Sequence, residues 1–63
     1  MTRIKSIENK IFELILEKDE DGRFVVKYKN AMADMQDFTY SSFLDLKTAN
    51  IVFDKTLINL EGH

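Results

Sequence analysis

The 63 residues predict a single α+β domain, spanning 1–63: a three-stranded antiparallel sheet with one helix, in the order β-β-α-β. Three observations lead there. Two apolar runs flank an acidic turn that closes on a glycine, "LEKDEDGRF". A Met- and Phe-bearing segment follows with apolar residues at helical spacing. A last apolar run, "IVFDKTLINL", reads as a further strand.

Lys10 to Glu17, "KIFELILE", alternates in part. Phe12, Leu14 and Leu16 share one face and Glu13 and Glu17 the other, with Ile11 and Ile15 on the charged face, as in a strand partly buried on both sides. Ile4, Ile7, Ile11, Leu14 and Ile15 also fall on one helical stripe, so a helix from Thr2 to Glu17 competes with the strand. The segment from Arg23 to Asn30, "RFVVKYKN", is richer in β-branched and aromatic residues and reads as strand. Between the two runs, Asp residues that bond their own backbone and Gly22, which tolerates a positive φ, specify a hairpin turn at Lys18–Gly22.

Met32 to Lys47 predicts the helix. Met35, Phe38, Ser42 and Leu46 lie on one strip with Phe43 beside it, Asp34 serves as N-cap, and Asp37 sits near the positive end of the dipole. Thr39 and the Ser41-Ser42 pair weaken it. Ile51 to Leu60 then predicts the third strand.

A chain this short buries only about 60% of its unfolded surface, which leaves it marginal without a staple. Cysteine is absent and the single histidine is His63, so neither a disulfide nor a Cys/His zinc site is available. With 44% apolar residues, the remaining staple is a homodimer that shares a core. The longest apolar runs are far too short to span a membrane, and charges occupy the N-terminus where a leader needs apolar residues. A cytoplasmic protein is expected.

The chemical motifs point away from catalysis. There is no Cys nucleophile, and Ser6, Ser41 and Ser42 have no evident base. Glu17, Asp19, Glu20 and Asp21 lack the spacing and terminal Glu of an EF-hand loop, and read as a solvated turn. No enzyme, metal or cofactor is expected. Net charge is −2, which disfavours nucleic-acid binding by the whole chain. Its distribution is uneven, since no Lys or Arg occurs between Asn30 and Leu46 while Asp34, Asp37 and Asp45 do. This acidic segment also carries Met32, Met35, Phe38, Tyr40 and Phe43; either Met35, Phe38 and Phe43 are core at helical spacing with the acids as the wet face, or some of these apolar side chains line a partner groove rimmed by the carboxylates.

"LEKDEDGRFVVKYKN", then a Met/Leu-rich segment, the Asp37-Phe38 pair and "FDKTLINL" together resemble the small dimeric uracil-DNA glycosylase inhibitors of Bacillus phages. In that family an acidic turn closes on Gly, and an aromatic-rich strand with a Tyr–basic pair follows, here Tyr28-Lys29. A helix carries Asp-Phe-Glu and then Tyr, and the last strand carries Asp-Lys, here Asp54-Lys55. The likeness runs from about Leu14 to Leu57. It implies an inhibitor that mimics DNA as a homodimer. Carboxylates stand for phosphates, and an apolar pocket captures the side chain that a host uracil-DNA glycosylase inserts when it flips a base.

The sequence departs from the family in the helix. With Asp37-Phe38 aligned, Thr39 stands where the family has Glu and Ser42 where it has Tyr; with acid-x-x-Tyr aligned, the pair is Asp37 and Tyr40. Phe43 stands in for the Tyr one residue later. The expected partner-binding residues are therefore Asp34, Met35, Asp37, Phe38, Thr39, Tyr40, Ser42 and Phe43. A second reading keeps the acidic surface and changes the target to another DNA-binding enzyme, as an antitoxin-like module. A third, direct nucleic-acid binding through Arg23, Lys27, Lys29 and the N-terminal bases, predicts only weak, salt-sensitive contact.

Overall fold

The computed structural model describes residues 2–33 and 37–62. The chain forms four strands, β1 (Thr2–Glu8), β2 (Phe12–Lys18), β3 (Phe24–Asn30) and β4 (Thr39–Phe43), followed by one helix, α1 (Leu46–Glu61). The strands pair antiparallel in chain order, a meander, and α1 packs over β2, β3 and β4.

The expected three-stranded β-β-α-β order is therefore corrected at three places. First, residues 2–8 form a strand, so the competing helix from Thr2 to Glu17 is excluded. Second, the segment expected as the helix Met32–Lys47 contains β4. Its Thr39, Tyr40 and Phe43 are strand formers, and β3 offers them a ladder. Third, the expected strand Ile51–Leu60 lies wholly inside α1. Asp45 caps that helix: its extended backbone sets the start, and its carboxylate accepts from the Thr48 N–H at 2.9 Å and from the Thr48 hydroxyl. From there Ala49, Phe53, Leu57 and Leu60 recur at helical spacing toward the sheet.

Short polar side chains close the connections. Asn9 Oδ1 accepts from the N–H groups of Ile11 and Phe12, turning β1 into β2. Asp19 Oδ1 accepts from Asp21 and Arg23 N–H, and Gly22 takes φ 84° in the same turn. Asn30 Oδ1 accepts from Met32 N–H as the chain leaves β3. Each is an Asx-type bond that replaces a missing backbone partner. The acidic hairpin tip is thus structural as expected, with Asp19 organising it.

The core lies between the sheet and α1. Phe12, Leu14, Leu16, Val26, Ala49 and Phe53 are buried there, with Ile7, Phe24, Tyr28 and Phe43 packed around them. All of these residues come from one chain. Among the described residues no helix is long and apolar enough to cross a membrane.

Candidate partner-binding surface

The base-free segment supplies the outer strand of the sheet. Register assigns its faces, because residues directly opposite one another project to the same side. Phe43 opposes Phe24 and Thr39 opposes Tyr28, so both lie on the helix side. Tyr40 opposes Lys27 and Ser42 opposes Val25, so both lie on the open side. Tyr40 is 60% exposed, and Ser42 and Asp37 are exposed as well. Phe38 is half-buried. Asp34 and Met35 lie outside the described residues.

The expected pocket residues are therefore divided. Phe38 and Tyr40 sit together, ring centroids 6.2 Å apart and tilted by 53°. Phe43 is on the opposite face, where it completes the core. Strand alternation separates what helical spacing would have joined.

Among the described residues no second layer of helix or strand covers the open face, yet its centre is dry. Ile15 and Val25 are buried on it, together with Glu17 and Lys29. Two ion pairs hold it: Lys27 Nζ to Glu17 Oε1 at 2.9 Å and Lys29 Nζ to Glu13 Oε1 at 3.8 Å. Glu17 Oε1 makes no aligned hydrogen bond, so its contact with Lys27 is ionic. The Phe38 ring covers both ammonium groups, at 4.9 Å from Lys27 Nζ and 5.7 Å from Lys29 Nζ. Tyr40 adds a face to Lys27 at 5.9 Å, and Lys29 donates to the Ala33 carbonyl at 3.4 Å. These cation–π contacts and ion pairs were not predicted, since they depend on the pairing register of β2 with β3.

This geometry has an electrostatic consequence. The two lysines nearest β4 are neutralised by Glu17 and Glu13. Among the described residues neither acid at the ends of β4 forms an ion pair within 4 Å, although Lys47 lies two residues after Asp45 and favours its charged form. Asp37 is exposed, and Asp45, also exposed, is held below the ordinary carboxylate pKa by the Thr48 N–H and then the Thr48 hydroxyl. Asp45 therefore stays charged at neutral pH. Leu44, 80% exposed, stands between β4 and the cap. Among the described residues no group of His, Cys, Asp and Glu is arranged to hold a metal ion. A shallow pocket of about 340 Å³ lies at the end of the sheet where β1 turns into β2, lined by Glu8, Lys10, Glu13 and Lys29, whose charges balance.

The chain matches no protein-family model, no curated protein and no solved structure.

Proposed function

We propose that this chain is a protein-binding inhibitor of a DNA-acting enzyme, and that its working surface is the acidic, base-free stretch around β4. One observation carries the reading: the only long stretch without Lys or Arg forms the sheet's outer strand, flanked by exposed acids, while the lysines beside it are paired internally. A DNA-binding face is cationic, so exposed carboxylates steer its approach and fix its register. Tyr40 and Leu44 offer apolar contact between the charges. Uracil-DNA glycosylase is the target implied by the resemblance of the chain to the phage inhibitors, and the site of action in this reading is the host cytoplasm.

The mechanism differs from the one that resemblance implies. Asp37 precedes β4 and Asp45 caps α1, and Phe38 lies over Lys27 and Lys29 rather than joining Phe43 in a pocket. Competition for the enzyme's DNA-binding surface then rests on charge and on the strand itself.

The test is uracil excision from a labelled oligonucleotide by a bacterial uracil-DNA glycosylase, with the protein in micromolar excess. Loss of excision without binding of the protein to the oligonucleotide is the expected result, and added salt should slow association more than it speeds dissociation. Undiminished excision removes this target.

A further inference from the structure

The sheet has two edges, and they are built differently. An open edge presents unpaired N–H and C=O groups, and proteins guard it with charges, bulges or proline. β1 is guarded: it carries Arg3, Lys5 and Glu8, and its register shifts between Arg3 and Lys5 at Ile4. β4 reads Thr-Tyr-Ser-Ser-Phe, with no charge, no proline and an unbroken register on β3. Among the described residues nothing pairs with its outer side. Its composition favours strand, and all but Phe43 are exposed.

Charge then selects among occupants. β4 itself carries no charge and each end carries an exposed acid, Asp37 before it and Asp45 after it, with Lys47 two residues beyond on the helix. A second copy fits poorly. The antiparallel register that pairs all of β4 with itself, centred on Ser41, sets Asp37 of one copy against Asp45 of the other. Like charges in opposed positions destabilise a strand pair.

We infer that β4 accepts an extended segment of the partner protein as a fifth strand, and that this segment has an uncharged, β-forming centre with Lys or Arg at both ends. Main-chain bonds along β4 supply affinity, and the terminal charges select the partner. The inference rests on the proposed inhibitor function for its choice of a cationic protein.

The probe is a synthetic peptide of alternating valine and threonine with lysine pairs at both ends, compared with the same peptide ended by glutamates. Binding is read by fluorescence anisotropy and by backbone amide shifts of the ¹⁵N-labelled chain. The lysine-ended peptide should bind with shifts gathered at Thr39–Phe43, and the glutamate-ended one should not. The double variant Asp37→Asn/Asp45→Asn, which keeps a capping side chain, should weaken binding about tenfold, as two peripheral charges of about threefold each. Ser42→Lys, which guards the edge, should abolish it with the melting curve unchanged. No binding, equal binding of both peptides, or shifts confined to another surface would overturn the inference. The two readings fail separately. Glycosylase inhibition that Ser42→Lys leaves intact removes the edge and keeps the inhibitor; peptide binding without glycosylase inhibition removes that target and keeps the edge.

Discussion

Phe53→Ala tests the packing that turned an expected strand into a helix. Phe53 is 2% exposed, faces β2 and β3 in the core, and carries the Lys5 ammonium 4.4 Å from its ring centroid. Removing the ring loses about 1.5–3 kcal/mol of burial, adds a cavity term, and deletes a cation–π contact worth about 0.5–1 kcal/mol. The expected cost is about 3–5 kcal/mol, a large share of the roughly 3–9 kcal/mol available to a domain of this size. Ile58 is the control. It lies on the same helix but is 67% exposed, so Ile58→Ala should stay within about 0.5 kcal/mol of the parent. Urea unfolding followed by far-UV circular dichroism gives both values. Should Phe53→Ala fail to fold, Phe53→Leu keeps much of the volume and should cost about 1–2 kcal/mol. An Ile58→Ala loss equal to that of the Phe53 variants would refute the burial of one face of α1 and the exposure of the other.

Three further outcomes follow from named contacts. Lys27→Met leaves the Glu17 carboxylate shielded and unpaired and should cost about 2–3 kcal/mol in urea unfolding, most of which Glu17→Leu/Lys27→Met should regain. Asp45→Ala should lower the melting temperature and Asp45→Asn should largely restore it, since Asn also caps. Asp45 is held below its unfolded pKa of about 4, so its stabilisation is present above that pH and lost as pH falls through the lowered value; a thermal titration of the parent should show this acid loss and the Asn variant should lack it. Gly22→Ala should cost about 1 kcal/mol from backbone strain alone, because φ is 84° and the added methyl meets nothing within 4 Å.

The central hairpin was legible because its signals are local. Asp19 and Gly22 act within the turn that they close, and β3 is rich in strand formers. The first strand was obscured by its register shift, which interrupts alternation at Ile4, and by its thin apolar content, with only Ile7 packed against the core. Asn9 was the available signal for the turn after it. The later half was exchanged, helix for strand, through competing local patterns. Ile51-Val52-Phe53 looks like a strand run in isolation, whereas Ala49, Phe53, Leu57 and Leu60 are the helical stripe. The spacing of Asp45 and Thr48 would have decided between them, since an N-cap needs its acceptor three residues before the N–H it satisfies. For the candidate surface the base-free composition is visible in the sequence, but the pocket that the resemblance implies groups Phe38, Tyr40 and Phe43 together. Strand alternation put them on two sides.

The open face explains why the β4 segment can serve both fold and partner. A sheet with one helical layer leaves its other face to water, and buried Ile15 and Val25 there need cover. The stems of Lys27 and Lys29 supply it, as long cationic side chains do when they lie along apolar surface. Their charges are then met from below by Glu17 and Glu13 and from above by Phe38. Phe38 thereby anchors the start of β4 to the sheet, which fixes the strand without a second layer over it. The inner side of β4 is committed to β3 and Phe43 to the core, while its outer edge and Tyr40 remain open. Phe38→Ala should consequently loosen the edge as well as expose the lysines. Faster amide exchange across Thr39–Phe43, with β2 and β3 still protected, is the signature that separates this anchoring from a general loss of stability.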